Sequence, residues 1–264
     1  MTPRTLRLSD GKAVRALVAG KGEALVLIHG VGMRAEAWGP QIAALSRDHQ
    51  VIALDMPGHG ESDPLPKGAH LPDYVSWATD VIAALGIGPV NLAGHSMGAL
   101  VAAGVAVERQ DHVRRVALLN GVHRRTEAER AAVLARADQI ASGERSIEGP
   151  LARWFGADHP AIRGQVAEWL SMVDQTGYAT AYRAFAEGDG IYAGRLGEIR
   201  CPALMLTGDG DANSSAAMAE RMAAAAPLGE ALIISGHRHM VNLTAPEAVN
   251  DALRKWLARQ EVTA

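Results

Sequence analysis

The chain has 264 residues, is 48% apolar, and carries 26 basic and 29 acidic side chains that leave a net charge of −3. A single cysteine, Cys201, excludes a disulfide framework and a cysteine-based zinc site. The mixed charge argues against a nucleic-acid or polybasic membrane surface, and no apolar run reaches the roughly 18 residues that a membrane span requires. Because the N-terminus lacks an apolar leader, we expect a cytoplasmic protein.

The predicted elements begin with a hairpin and continue as alternating strands and helices. Residues 5–9 and 13–18 alternate in polarity around Asp10-Gly11, a strong turn signal. Continuous apolar runs then predict strands at 24–28, 51–54, 90–93, 116–119, 203–207 and 231–234. Helical patterns lie between most of these strands and after the last, at 38–45, 74–85, 97–109, 214–226 and 246–259. This alternation predicts an α/β fold with a mostly parallel sheet of about eight strands, covered by helices on both faces.

The alternation stops between residues 121 and 200, where the sequence shows no convincing strand. Thr126 and Glu129 form a capping box for a helix to about Ile140, and further helices are predicted over 160–172 and 178–187. We therefore predict one α/β core over residues 1–121 and 199–264, with an all-helical cap over 122–198. Seven of the eleven aromatic side chains fall in this insertion, so the cap is expected to shape any pocket beneath it.

Residues 94–98 read Gly-His-Ser-Met-Gly and lie between a predicted strand and a predicted helix. In that context the G-x-S-x-G pattern is typical of a sharp turn that presents a serine at the carboxyl end of the sheet. Small flanking residues are needed because the strand and the helix approach closely. The N-terminus of the following helix favours developing negative charge. We predict that Ser96 is a nucleophile.

A serine nucleophile needs a base, and the base needs an acid that orients it. The strand at 203–207 is followed by Asp209 and Asp211, and the strand at 231–234 is followed by His237 and His239. Both loops fall at the carboxyl ends of parallel strands, where the sites of open α/β sheets form. Each loop therefore offers two candidates for its role.

In these motifs and their order, the chain resembles the α/β-hydrolase fold family. Members of that family commonly carry a glycine three residues before the acid, which selects Asp211 rather than Asp209. They also carry an apolar pair and then a Pro-Glu helix start after the base, which selects His239 rather than His237. The resemblance thus implies a catalytic triad of Ser96, Asp211 and His239.

Two earlier segments resemble further motifs of the family. Residues 29–32, His-Gly-Val-Gly, resemble its oxyanion loop, whose histidine is expected to fix the loop. The resemblance implies that the backbone N–H groups of Val31 and Met97 hold the oxyanion. Residues 55–62, Asp-Met-Pro-Gly-His-Gly-Glu-Ser, resemble a structural turn, so Asp55 is the less favoured alternative for the acid.

The cap is similar to that of 3-oxoadipate enol-lactonases, for example at Arg153-Trp154-Phe155, although the oxyanion loop and His95 depart from the residues usual there. This similarity implies a hydrolase of a small carboxylic ester or lactone that works through an acyl-enzyme. The alternatives are cleavage of an amide or C–C bond, and a slow-turnover ligand receptor on the same fold. Discrimination between them requires substrate assays, because a fold does not fix a function.

The remaining expectations concern ligands. His95, Trp154 and Tyr178 are predicted to shape the substrate pocket. Four arginines are candidates for binding a substrate carboxylate, namely Arg34, Arg124, Arg125 and Arg153. The histidines show no metal-ligand spacing, so we predict no metal and no cofactor. A small-molecule substrate is the expected partner, without nucleic acid or membrane, and a homo-oligomer is left open.

Overall fold

The sheet forms the centre of the computed structural model, which describes residues 1–144 and 146–260. Its strands are β1 (Thr2–Arg7), β2 (Ala13–Ala19), β3 (Glu23–Ile28), β4 (His49–Leu54), β5 (Val90–His95), β6 (Val113–Leu119), β7 (Ala203–Gly208) and β8 (Gly229–Ile234). These eight strands lie in the order β1-β2-β4-β3-β5-β6-β7-β8. Strand β2 pairs antiparallel with β1 and with β4, and the other neighbours pair parallel. The mostly parallel α/β fold predicted from the sequence is confirmed.

Helices cover both faces of this sheet. In the core they are α1 (Gly39–Leu45), α2 (Leu71–Leu85), α3 (Met97–Glu108), α8 (Ala216–Ala225), α9 (Val241–Thr244) and α10 (Pro246–Leu257). Strand β3 shows why both faces are apolar: Val26 and Ile28 pack into one buried cluster, whereas Leu25 and Leu27 pack into another. Successive side chains of a strand point to opposite faces, so a continuous apolar run supplies two cores at once.

Among the described residues, four α-helices lie between β6 and β7 in the segment predicted to be the cap, namely α4 (Glu127–Ala141), α5 (Glu148–Phe155), α6 (Pro160–Met172) and α7 (Gln175–Gly188). The predicted capping box at the start of α4 is present, since Thr126 N–H donates to Glu129 at 2.7 Å and the Glu129 N–H donates back at 3.3 Å. Helix α5 was not predicted, because Gly149 and Pro150 in its first turn are typical of a loop. The proposed cap limits of 122–198 stay a prediction.

The cap contacts the core through glycine. A Cβ atom on Gly177, near the start of α7, would lie 2.4 Å from the carbonyl oxygen of Gly58. Only glycine permits this approach, which fixes where α7 crosses the core. Of the predicted segments, Arg145 in the cap and residues 261–264 at the end of the core lie outside the described residues. None of the described helices has the length and apolar character needed to cross a membrane.

Candidate active site

Ser96 occupies the sharp turn between β5 and α3. Its backbone has φ 55° and ψ −114°, a conformation that side chains rarely adopt. The flanking glycines are a steric requirement. A Cβ on Gly94 would lie 2.0 Å from the Gly98 carbonyl oxygen, and a Cβ on Gly98 would lie 2.2 Å from the carbonyl oxygen of Ile28. The surrounding backbone therefore holds the strained turn in place and presents Ser96 at the carboxyl end of the sheet.

The structure brings Ser96, His239 and Asp211 into one hydrogen-bonded series. Nε2 of His239 lies 3.1 Å from Oγ of Ser96, and Nδ1 of His239 lies 2.8 Å from Oδ2 of Asp211. All three residues are buried, with at most 4% of their surface exposed. In such a series the imidazole can take a proton from the hydroxyl while the carboxylate holds the ring orientation.

Asp211 is bound on both carboxylate oxygens. Oδ2 accepts from the Asn120 side-chain amide at 2.8 Å in addition to His239, and Oδ1 accepts from the backbone N–H groups of Asn213 and Ser214 at 2.8 and 3.1 Å. Burial by itself raises the pKa of Asp211, but the charge of His239 and these hydrogen bonds outweigh it and lower the pKa below its ordinary value. The carboxylate is therefore held ionised beside the imidazole.

The alternative acid and base of the two loops lie elsewhere. Asp209 is exposed and accepts hydrogen bonds from Ser235 Oγ at 3.0 Å and from the Gly236 N–H at 2.8 Å, so it ties one loop to the other. His237 contacts Thr244 through Nδ1 at 3.0 Å and stacks on His159 of the cap. Neither contacts Ser96.

The predicted oxyanion amides lie on either side of Ser96. The Met97 N–H begins helix α3, where the first amides have no partner within the helix. A Cβ on Gly30 would lie 3.0 Å from Cβ of Ser96, so the loop that carries Val31 passes directly beside the serine. Among the described residues, neither the Val31 N–H nor the Met97 N–H has an acceptor. Both donors are thus free to bind a substrate oxygen.

Two buried histidines fix the loop that carries Val31. His29 Nε2 accepts the Met56 N–H at 2.9 Å while Nδ1 contacts the Gly30 carbonyl at 2.7 Å, and His59 Nε2 accepts the Gly32 N–H at 2.9 Å. Burial lowers the pKa of both rings, so each stays neutral and can accept these N–H groups. The histidine of the 29–32 segment therefore has the loop-fixing position expected from the sequence.

Asp55 has a structural environment. It forms an ion pair with Arg15 at 2.8 Å and accepts the Ala35 N–H at 2.7 Å, and Arg15 in turn pairs with Glu36 at 2.7 Å. Burial raises the pKa of Glu36, but the hydrogen bonds from Arg15 and Arg34 dominate and lower it to about 2. These contacts tie the strand end to the turn that follows, and no contact joins Asp55 to His239.

His95 is placed differently from the predicted pocket position. Its Nε2 donates to the carbonyl oxygen of His239 at 2.8 Å, and its ring meets the edge of Trp38 in the core. Burial lowers the pKa of His95 to about 3, so the ring is neutral. The side chain therefore packs behind His239, between the backbone of that residue and Trp38 of the core. Its hydrogen bond supports the backbone of the base.

A cavity of about 430 Å³ lies between Ser96 and the cap. Trp154 of α5 lines it and stacks on His239, with ring centroids 5.7 Å apart. Tyr178 does not line this cavity, because it packs over Gly32. One and two helical turns later, Tyr182 and Phe185 of α7 provide the aromatic wall instead.

In the part of the chain that the structure describes, three arginines line the cavity. Arg125 and Arg153 are among the predicted candidates, and Arg136 was missed. Arg34 is paired with Glu36 at 2.7 Å, and Arg124 is an exposed residue outside the cavity wall. Residues at positions 129, 132, 133, 135, 136 and 139 of α4 face the cavity together. This set contains the helical i, i+3, i+4, i+7 pattern at 129, 132, 133 and 136, a signal that could have revealed Arg136.

Comparisons with known proteins agree with this architecture. The sequence model of the alpha/beta hydrolase family matches residues 25–252. The chain belongs to the alpha/beta hydrolase family. It is 52% identical over 259 residues to the (E)-2-((N-methylformamido)methylene)succinate hydrolase of Acinetobacter baylyi, covering 97% of this chain and 98% of that protein. The chain is accordingly a hydrolase.

Two solved structures share the fold of this hydrolase. One is the enol-lactonase of Burkholderia xenovorans LB400, with a TM-score of 0.88 and 24% identity over 97% of this chain and 100% of that one. The other is a thermophilic esterase of Thermogutta terrifontis, with a TM-score of 0.88 and 24% identity over 97% of this chain and 98% of that one.

In the part of the hydrolase that the structure describes, no three His, Cys, Asp or Glu side chains are grouped to hold a metal ion.

Proposed function

We propose that this hydrolase cleaves a carboxylic acyl bond through an acyl-enzyme on Ser96. The observation that carries the proposal is the buried series from Ser96 Oγ through His239 to Asp211, at 3.1 and 2.8 Å. Ser96 Oγ attacks the carbonyl carbon while His239 Nε2 takes the hydroxyl proton. Asp211 stabilises the imidazolium, and the Val31 and Met97 amides donate to the oxyanion.

The second half of the cycle uses the same groups. The tetrahedral intermediate collapses as His239 returns its proton to the leaving atom, and the acyl group stays on Ser96 as an ester. His239 then takes a proton from water, whose oxygen attacks the acyl carbon. When this intermediate collapses, the carboxylic acid leaves and the proton returns to Ser96 Oγ.

The proposed substrate follows from the chemistry of the leaving group. The substrate named for the 52% identical relative contains a formamide whose nitrogen is attached to a carbon–carbon double bond. That bond conjugates the nitrogen with a neighbouring carboxylate, so the nitrogen departs more readily than from an ordinary amide. The enolate released from an enol-lactone is stabilised in the same way. We propose an enamide of this kind, that is, an N-acylated enamine, as the preferred substrate, with esters and lactones hydrolysed by the same mechanism.

A paired assay tests this function. Turnover of p-nitrophenyl acetate and release of formate from (E)-2-((N-methylformamido)methylene)succinate are measured for the wild type and Ser96→Ala. We expect both activities in the wild type and a loss of at least about a thousandfold in the variant, because nothing else replaces the hydroxyl. Equal rates in the two proteins would refute the acyl-serine mechanism.

Further substrates separate the alternatives. A saturated amide of the same size should react far more slowly than the enamide, and a vinylogous diketone tests C–C cleavage. Faster cleavage of the diketone than of the enamide would overturn the proposed substrate class. Wild-type turnover below about once per minute on the whole panel, together with tight retention of one compound, would favour a ligand receptor instead.

A further inference from the structure

The arginines of the cavity wall differ in how many of their guanidinium N–H groups already have a hydrogen-bond acceptor in the protein. Arg136 is engaged at both ends of its fork: Nη1 contacts Glu144 at 2.8 Å and Gln139 at 3.3 Å, and Nη2 donates to the carbonyl oxygen of Ser146. Its terminal donors therefore have acceptors already. The other two arginines of the cavity wall are in a different state.

Arg125 is held in place by one nitrogen only. Nη1 lies 3.3 Å from Asp189 and donates to the backbone carbonyls of Phe185 and Ala186 at 3.3 and 3.5 Å. The guanidinium lies over the Phe185 ring, 4.4 Å from its centroid. Among the described residues, the Nε and Nη2 groups of Arg125 have no side-chain or backbone acceptor.

This open edge belongs to a buried cation. The Arg125 side chain is 6% exposed, and Asp189 is shared with Arg130 at 3.2 Å, so one carboxylate faces two guanidinium groups. Nε and Nη2 are parallel donors with the spacing of a carboxylate's two oxygens. Because Arg125 lines the cavity and the protein uses neither of these N–H groups, a carboxylate ligand at this edge is favoured by charge and by geometry.

Arg153 and Tyr182 provide a second set of free donors. Arg153 lines the cavity from the exposed end of α5, and no ion pair or hydrogen bond joins its side chain to another described residue. Tyr182 is 9% exposed, and its hydroxyl group has no hydrogen-bond partner among the described residues. Burial raises the pKa of Tyr182 against the opposing charges of Arg153 and Arg125, so the hydroxyl keeps its proton and can donate.

The acidic side chain of the cavity wall does not occupy these donors. Glu129 accepts from the Thr126 N–H at 2.7 Å and from the Thr126 hydroxyl at 2.9 Å, so its carboxylate is turned to the start of α4. Among the described residues, the wall carries three arginines and one glutamate. A single carboxylate would leave either the open edge of Arg125 or the guanidinium group of Arg153 without an anionic partner.

We infer that the cavity selects dicarboxylates, with one carboxylate on the Nε and Nη2 edge of Arg125 and the other on Arg153 and the Tyr182 hydroxyl. The inference rests on the proposed function, since it assigns the substrate's two anionic groups to the cavity above Ser96. It extends that function by naming side chains that recognise each end of the substrate. Arg136 is excluded from this role because its terminal nitrogens are already bonded within the cap.

Binding to the Ser96→Ala protein tests the inference without turnover. Calorimetric titration compares succinate with its monoamide succinamate and its diamide succinamide, which have two, one and no carboxylates. We expect succinate to bind at least about tenfold more tightly than succinamate, with succinamide weakest. Succinate binding no tighter than succinamate would overturn the inference.

Variants in the same background assign the donors. Arg125→Gln, Arg153→Gln and Tyr182→Phe should each reduce the preference for succinate over succinamate, with losses on the order of tenfold for the arginines and less for the tyrosine. Arg124→Gln removes the same charge one residue away from Arg125, outside the cavity wall, and should keep the full preference. If Arg125→Gln does not fold, Arg153→Gln and Tyr182→Phe still decide the question. A preference unchanged in both would refute the assignment.

The two proposals fail in different ways. Selective dicarboxylate binding by a protein that turns over neither test substrate would support the dicarboxylate site and contradict the proposed function. Turnover of the enamide with no preference for a second carboxylate in binding would do the reverse. The diamide of the same substrate skeleton, assayed with the wild type by formate release, provides the matched neutral substrate for that comparison, because its ordinary amide bonds are expected to react far more slowly than the enamide.

Discussion

Replacing Asp211 by asparagine should abolish most activity while leaving the fold intact. Both oxygens of the carboxylate accept N–H groups, His239 and Asn120 on one side and two backbone amides on the other. An amide can satisfy only one side with its oxygen. We expect that oxygen to face the two backbone N–H groups, so that the new NH₂ group faces His239 and Asn120.

This orientation determines the size of the effect. The NH₂ group would donate to His239 Nδ1, which moves the ring proton to Nε2 and prevents it from taking the proton of Ser96. A wrong tautomer of this kind lowers kcat by about 10⁴-fold, or roughly 5.5 kcal/mol of transition-state stabilisation. The unmatched Asn120 donor removes a hydrogen bond to a charged group and lowers the free energy of unfolding by about 1.5–3 kcal/mol. That loss is smaller than the typical stability of a domain, about 5–15 kcal/mol.

Asp209→Asn is the matched control, because this aspartate is exposed and bonded only within the loops. Steady-state hydrolysis of p-nitrophenyl acetate and urea unfolding are measured for both variants and the wild type. Asp209→Asn should keep kcat/KM within about threefold and lose at most about 1 kcal/mol of stability. Activity of Asp211→Asn within tenfold of the wild type, or an equal loss in Asp209→Asn, would refute the assignment of the acid.

Three further changes have defined outcomes. Gly98→Ala places a Cβ 2.2 Å from a carbonyl oxygen of β3 and should destabilise by about 3 kcal/mol or more, whereas Gly39→Ala meets no atom within 4 Å and should be nearly neutral in urea unfolding. Trp154→Leu removes the ring stacked on His239 and should raise KM for aryl esters about tenfold with a smaller change in kcat; an unchanged KM would contradict its place in the cavity. Burial lowers the pKa of His95 to about 3 in the folded protein, so between that pH and roughly 6.5 the unfolded chain binds the additional proton and stability falls as the pH drops. His95→Gln should reduce this dependence by up to about 1.4 kcal/mol per pH unit. The free energy of unfolding is measured at pH 7 and pH 5, and an equal loss between the two pH values in the wild type and the variant would contradict this prediction.

The core was predictable because its signals are local in sequence. A strand such as β3 is apolar on both faces, so the run itself reports a parallel strand buried on both sides. Gly94 and Gly98 are required by close backbone contacts on either side of Ser96, which is why the pattern of the turn is readable. The choice of Asp211 over Asp209 was different: spacing alone left both open, and resemblance to a family decided it.

The cap was less predictable because its signals depend on orientation. Helix α7 carries Tyr178, Tyr182 and Phe185 at helical spacing, so all three share one face. Which of them reaches the cavity depends on the tilt of α7 over the core, set by a contact of Gly177 with a distant turn. The sequence therefore indicated an aromatic wall, but the prediction named Tyr178, whereas Tyr182 lines the cavity.

Which arginines of the cavity can bind a substrate was also difficult to predict from the sequence. Whether an arginine can bind a substrate depends on which of its N–H groups the protein already uses, and those acceptors lie far away in the chain. The protein's own hydrogen bonds to the Arg125 guanidinium use only Nη1, and its anionic partner Asp189, at the other end of the cap, is shared with Arg130. Because no backbone contact of the Ser96 turn depends on these ion pairs, a change of partner in the cap can alter the charge of the cavity while the hydrogen bonds from Ser96 to Asp211 stay as they are. In this hydrolase we therefore expect the chemistry of the reaction and the charge of the substrate to be specified by separate sets of residues.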